Sequence, residues 1–317
     1  MIKKQFELGS QTVKIETGLI AKQANASVTI EIDGTVILGT LVASTEPNER
    51  DFFPLTVNYN EKSYAAGKIP GSFFKREGRP SEKETLISRL IDRPLRPLFA
   101  STYNQEVQIV LTLVSYNPEV DPEVPALIAA STCVKLAGLP FNGTLGAVKV
   151  GYENNEYILN PTSSQLASSL LDLTVAGTNN AVLMVESEAK ELTEKQMLDA
   201  VNFGHDKMQE IIKAIDELVA EADVSMIEPS PAEDNSELYN TIKTKYANQI
   251  SEAYQITVKQ DRYEKLSALK EDIMSKEVSI DDDNSDKISS VFNNLKKDIV
   301  RERILSGEKR IDGRDSS

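Results

Sequence analysis

The spacing of apolar positions changes character along this chain. Up to about residue 190 they come in short alternating runs broken by turn residues, and after Thr193 they recur at helical spacing. Residues 12–17, 27–32, 35–42, 53–59 and 106–116 read as strands. Asp33-Gly34 joins the second and third of these as a type I′ hairpin, because both central residues must take positive φ. Pro80-Ser81-Glu82-Lys83-Glu84 predicts a helix start, with Ser81 as cap and Glu84 completing a capping box; Pro94 is read as its end. A second helix is predicted over 123–136, closed by Gly138. Residues 146–151 and 157–159 read as short strands, and 171–177 with 181–185 as a hairpin around Asn179-Asn180. This order predicts an α/β (α+β) core with a mixed sheet and packed helices. Beyond it, Met197, Leu198, Val201, Met208, Ile211 and Ile215 mark a helical stretch, Glu228-Pro229-Ser230-Pro231 a linker, and 233–305 three or four helices broken at Asp281-Asp282-Asp283-Asn284. The predicted division is therefore 1–190 for the core, 191–232 for helices and linker, 233–305 for an all-helical domain and 306–317 for the entrance to another domain.

Composition narrows the class. The 317 residues carry a formal charge of −14. Residues 1–183 hold 16 Lys/Arg against 19 Asp/Glu, whereas 184–317 hold 19 against 30, so the acidity belongs to the helical part. No apolar run has the length of a membrane span and no signal-peptide core opens the chain, so a cytoplasmic protein with no membrane partner is expected. The single cysteine, Cys133, lies in an apolar helical run and reads as a small buried side chain. His205 is the only histidine and reads as a structural or surface residue; with no second histidine or cysteine cluster, a protein-only transition-metal site is not expected.

Against that acidic background, the stretch from Lys68 to Arg96 carries eight Lys/Arg and four Asp/Glu. Basic residues concentrated on an acidic protein mark an anion site. Phe73 and Phe74, between Gly71-Ser72 and Lys75-Arg76, offer faces on which bases can stack, while Lys75, Arg76 and Arg79 hold phosphates. Arg89 and Arg93 are four apart and share a helix face; Arg96 is set between Pro94 and Pro97. The blander reading pairs these three arginines with Glu82, Glu84 and Asp92 on a solvated face. The ligand class indicated is single-stranded nucleic acid.

These motifs resemble the polynucleotide phosphorylase family, bacterial enzymes that degrade RNA from its 3′ end with phosphate. The resemblance rests on Phe53-Pro54-Leu55-Thr56-Val57, Tyr64-Ala65-Ala66-Gly67-Lys68-Ile69-Pro70-Gly71, Phe73-Phe74-Lys75-Arg76-Glu77-Gly78-Arg79-Pro80 and Leu90-Ile91-Asp92-Arg93-Pro94-Leu95-Arg96-Pro97-Leu98-Phe99. Val114 to Pro118, Gly138 to Gly143 and Leu159 to Thr162 extend it. It implies an N-terminal part of such an enzyme: a first RNase PH-type core over 1–190, an all-helical domain, and the opening of a second core at Ile304-Leu305…Arg310-Ile311-Asp312-Gly313-Arg314. By the same resemblance the chain binds and guides single-stranded RNA, forms a homotrimer, and works with other RNA-degradation proteins.

The catalytic core of that family carries aspartates before an Asp-Phe-Lys-Val-Ala-Gly-Thr segment. Residues 163–178 here keep Asp172 alone, replace the acidic cluster by Ser, Gln, Leu and Ala, and put Thr174 in place of the lysine. One carboxylate holds Mg²⁺ poorly, since that ion needs several hard oxygens. The first core is therefore expected to have no catalytic residue and no metal, with Mg²⁺ and phosphate bound by the second core of the full-length enzyme. The alternative reading is a non-catalytic RNA-binding or ring-scaffold subunit.

Overall fold

The computed structural model describes residues 1–47, 52–72, 78–229, 231, 234–277 and 285–315. They fall into two compact units, Met1–Pro231 and Ala232–Ser317. Unit 1 runs β1 (Ile2–Leu8), β2 (Gln11–Thr17), β3 (Ala26–Ile32), β4 (Thr35–Pro47), β5 (Leu55–Glu61), α1 (Glu82–Leu95), β6 (Gln105–Ser115), α2 (Glu123–Leu136), β7 (Gly146–Glu153), β8 (Glu156–Leu159), α3 (Ser163–Ser168), β9 (Leu171–Gly177), β10 (Val182–Ala189) and α4 (Glu194–Glu221).

The first six strands form one mixed sheet in the order β1-β2-β3-β4-β6-β5. Its pairings are antiparallel apart from β5 beside β6, which needs the α1 crossover between them. The Asp33-Gly34 turn has φ of 45° and 91°, the two positive values a type I′ hairpin requires. The second sheet is antiparallel, in the order β10-β9-β7-β8. Strand β1 is not evident from the sequence because Lys4 interrupts its apolar face; Lys4 instead meets Glu221 of α4 at 3.0 Å.

Helix α2 lies between the two sheets, against β3 and β4 on one side and β7 on the other. Every residue from Val124 to Val134 is buried, the expectation for a helix apolar all round. Its close approach to β4 depends on Gly39, where a Cβ would meet Ala129 Cβ at 3.1 Å and Cys133 Sγ at 3.2 Å. Cys133 is fully buried and burial pushes its thiol pKa up, so it behaves as packing. Among its described residues, the stretch read as helices leading to a linker contains a single 28-residue helix, α4, which packs on β7, β9 and β1. Gly204 permits this, since a Cβ there would come within 3.1 Å of Val150 and Val175. His205 Nε2 donates to the Thr178 carbonyl at 2.9 Å, a structural contact.

Unit 2 contains α5 (Ser236–Ala253), α6 (Lys259–Glu277) and α7 (Ser285–Leu305) among its described residues. Ile242, Tyr246, Ile250, Leu266, Leu269, Ile273, Ile288, Val291, Phe292, Leu295 and Ile299 form its core. Asp281, Asp282 and Asp283, read as a break between helices, lie outside the described residues. No described helix is long and apolar enough to cross a membrane.

Candidate nucleic-acid interface

Helix α1 is held in a fixed rotation on β5. Ser81 accepts from the Glu84 backbone N–H at 3.2 Å, and Glu84 accepts from the Ser81 N–H at 2.7 Å, the capping box read from sequence. The same Glu84 carboxylate accepts from the Glu61 N–H at 2.8 Å, and Ser88 Oγ accepts from the Tyr59 N–H at 2.9 Å. Burial works against the Glu84 charge, but these N–H groups hold its pKa below the ordinary range. Ile87, Leu90, Ile91, Pro94 and Leu95 face inward. Pro94 sits in the last turn rather than beyond it, and a 3₁₀ turn over Arg96–Leu98 follows directly.

With that face buried, Arg89 and Arg93 are exposed in a cleft of about 980 Å³ beside Thr56, Asn58 and Asn60 of β5. Neither arginine has a carboxylate within ion-pair distance among the described residues. Arg96 lines the same cleft but is differently placed. Its Nε and Nη2 donate to Asp92 at 3.0 and 2.6 Å, and its Nη1 and Nη2 donate to the carbonyls of Phe53 and Leu55 at 2.9 and 3.1 Å. The guanidinium also stands 5.9 Å from the Phe53 ring centre. Of the three arginines, the bland pairing with a carboxylate is found for Arg96; its donors tie α1 to the start of β5.

A second cleft of about 610 Å³ adjoins the first, sharing Asn60 and Pro80, and is lined by Lys62, Lys68, Arg79 and Tyr64. Arg79 and Lys68 are exposed there and Lys62 is half-buried. Tyr64 is 61% exposed and Ile69 89%, so this cleft offers an aromatic face and an apolar edge beside its cations. Tyr64 opens the Tyr64–Gly71 motif, yet it has no charged neighbour in sequence closer than Lys62, which is why sequence reasoning assigns it no role. Phe73, Phe74, Lys75 and Arg76 lie outside the described residues, in the segment between Ser72 and Gly78.

The position expected to be catalytically empty is built otherwise than the sequence suggests. Asp172 on β9 is not alone. Lys149 of β7, with a side chain 6% exposed, lies 2.6 Å from Asp121, 3.2 Å from Glu123 and 3.2 Å from Asp172. In the strand register Lys149 pairs with Thr174, the residue that stands where the family motif has lysine. The Thr174 hydroxyl donates to Glu123 at 3.5 Å. Burial opposes the charge on Lys149, but the carboxylates of Asp121, Glu123 and Asp172 outweigh it and hold its pKa above the usual lysine range. Glu123 is pushed up, first by burial and then by Asp121. These oxygens already face an ammonium, so the residues present do not fit a divalent ion, and among the described residues no group of three or more His, Cys, Asp or Glu is arranged to hold a metal.

Comparison with known proteins places these features. Residues 9–140 match the 3′ exoribonuclease family, domain 1 (RNase PH), and residues 143–207 match domain 2 of the same family. The junction of the two matches falls between α2 and β7, where the chain passes to the second sheet. Residues 237–315 match the polyribonucleotide nucleotidyltransferase RNA binding domain, a span that includes 306–315, read from sequence as the opening of another core. The crystal structure of rice (Oryza sativa) Rrp46 is similar with a TM-score of 0.55 at 12% identity, over 68% of this chain and 96% of that one; a likeness at this identity concerns the fold. The two domain matches together span more than half of the sequence, and the chain belongs to the RNase PH-type 3′ exoribonuclease family, with a helical unit of the polyribonucleotide nucleotidyltransferase RNA-binding type.

Proposed function

We propose that this chain is the RNA-guiding, non-catalytic part of a 3′-to-5′ phosphorolytic exoribonuclease of the polynucleotide phosphorylase kind. The observation that carries the reading is the pair of adjoining clefts in which Arg79, Arg89, Arg93 and Lys68 stand exposed, with Lys62 and Tyr64 beside them. Exposed cations without carboxylate partners attract phosphates, and an aromatic face accepts any base, so a single strand is bound with little sequence preference. Phe73 and Phe74, with Lys75 and Arg76, add stacking and charge from the segment between Ser72 and Gly78. In a homotrimer three copies of that segment would act on one strand, multiplying a weak contact through effective concentration.

Chemistry in this reading belongs to a second core of the same type, with its own magnesium and phosphate. In the present core the carboxylates nearest to the motif are committed to Lys149, which leaves, among the described residues there, no free acidic set to hold a metal ion. The cytoplasm, where RNA turnover occurs, is the proposed compartment. The test is to incubate the chain with oligo(A), phosphate and Mg²⁺ while following both binding and product. Retention of the oligonucleotide without release of nucleoside diphosphates is expected. Diphosphate release abolished by Asp172→Asn would put an active site in this core and refute the reading.

A further inference from the structure

Strand β5 carries its polar side chains in a row. Thr56, Asn58 and Asn60 alternate with the buried Leu55, Val57 and Tyr59, so all three stand on one face, and all three line the cleft of Arg89 and Arg93. Thr56 is exposed and the two asparagines are half-buried. Among the described residues no hydrogen bond engages their side chains. Their register partners on β6 are Gln108, Val110 and Thr112. Asparagine is disfavoured in strands, so two at alternate positions, with no internal partner to offset the cost, point to a ligand rather than to the fold.

The row is held rigidly. β5 is an edge strand of its sheet, and α1 satisfies that edge: the Tyr59 N–H donates to Ser88 Oγ and the Glu61 N–H to Glu84, while Arg96 donates to the carbonyls of Phe53 and Leu55. Both ends of the strand are therefore tied to the helix that carries Arg89 and Arg93, which sets amides and guanidiniums in one frame. Alternate side chains of a parallel strand lie roughly 6.6 Å apart, close to the span of one nucleotide in an extended strand. A hydroxyl and a carboxamide each offer both a donor and an acceptor. In a polynucleotide, the group that both donates and accepts, and recurs once per nucleotide whatever the sequence, is the ribose 2′-hydroxyl; base edges change their pattern from one base to the next. Phosphates only accept, and so fit the guanidiniums. Glu186 lines the same cleft, a neighbour that repels a phosphate and accepts from a hydroxyl.

We propose that Thr56, Asn58 and Asn60 are the residues that distinguish ribose from deoxyribose in the α1 cleft: they hydrogen-bond successive 2′-hydroxyls of a strand whose phosphates are held by Arg89 and Arg93. The inference rests on the RNA-guiding reading above and adds to it a selection of RNA over single-stranded DNA. That selection is independent of base sequence, because the contacted group is the same in all four nucleotides.

The test is fluorescence anisotropy of the whole chain with fluorescein-labelled oligo(A) and oligo(dA) of equal length, over a range of salt. The parent is expected to bind oligo(A) more tightly, by roughly 2- to 12-fold for each hydroxyl contacted. Asn58→Leu with Asn60→Leu removes the donors and acceptors at similar volume. It is expected to bring oligo(A) affinity down toward that of oligo(dA) and to leave oligo(dA) binding as in the parent. The slope of log K against log[salt] should hold, because no charge is removed. Thr56→Val, at an exposed position, should act in the same direction by less and keep the thermal midpoint. If the asparagine variant lowers that midpoint, Thr56→Val and oligo(A) with single 2′-deoxy substitutions, read on the parent, supply the same comparison. Arg89→Gln with Arg93→Gln should weaken both strands alike and reduce the slope. Equal affinity of the parent for the two strands overturns the proposal and leaves single-strand binding in place; binding of neither strand overturns the RNA-guiding reading as well. A ribose preference that survives in the Thr56 and asparagine variants also overturns the proposal, since the selection then resides elsewhere in the chain. So does a changed preference between oligo(A) and oligo(U) with the ribose preference intact, which would assign the asparagines to base edges.

Discussion

Lys149 and the pair Arg89 and Arg93 are cations of one unit with opposite surroundings. The lysine is almost fully buried and meets three carboxylates within 3.2 Å. The arginines are exposed, four residues apart on one helix face, and meet none among the described residues. The first arrangement commits the cation to its carboxylates; the second leaves the guanidiniums without an ion-pair partner, although Asp92 and Glu186 line the same cleft. In the function proposed above, a structural cation differs from a binding one in how many acids lie within ion-pair distance of it. Arg96 marks the boundary: it lines the same cleft as Arg89 and Arg93, yet its guanidinium already donates to Asp92 and two carbonyls.

The largest expected effect comes from breaking the buried cluster. Lys149→Met leaves Asp121, Glu123 and Asp172 facing one another without compensation, and should cost about 3–5 kcal/mol of unfolding free energy in a denaturant titration. The pH dependence has a defined sign. Glu123 has a folded pKa raised above its unfolded value, so its contribution is present at low pH and lost as pH rises through the folded value. Removing the ammonium raises that pKa further, so the variant should recover stability on acidification from neutral pH more steeply than the parent. Adding Glu123→Gln should restore part of the loss. RNA binding of the folded variant should be unchanged; a stability near that of the parent would show that the cluster is not the structural element described.

Next in size is the stacking interaction. Phe73→Ala with Phe74→Ala should weaken single-stranded RNA binding by roughly 1–3 kcal/mol for each stack removed, with little change in salt dependence. If the double variant unfolds the domain and binds normally once refolded, these aromatics are core residues. Arg96→Ala comes lower and should act on stability: roughly 1–3 kcal/mol from hydrogen bonds to a charged group, with Asp92 losing its cation and the Phe53 and Leu55 carbonyls each losing a donor. A variant that keeps its thermal midpoint but loses RNA affinity would return Arg96 to the ligand.

The sequence is most legible where chemistry is local. The Asp33-Gly34 turn, the Ser81/Glu84 capping box and the largely apolar α2 each declare themselves within a few turns of chain, and each is present in the structure. The basic character of the segment around α1 is equally plain, because it is a matter of counting charge. What stays hidden depends on contacts between distant residues. Lys149 finds Asp121 and Asp172 from 28 and 23 positions away, and only the strand register puts it opposite Thr174. Arg96 reaches carbonyls more than forty residues earlier. Strand β1 escapes notice because Lys4 is satisfied by Glu221 at the far end of the unit.

The smallest expected change in stability belongs to Arg89 and Arg93, and it is paired with the most direct reading of the central claim. The measurement is the slope of log K against log[salt] for oligo(A) binding by the parent and by Arg89→Gln with Arg93→Gln, with the thermal midpoint recorded for both. The account predicts a slope reduced by roughly 0.7 for each phosphate left without its cation, at an unchanged thermal midpoint. An unchanged slope, with affinity equal to that of the parent, would contradict the assignment of this cleft to RNA.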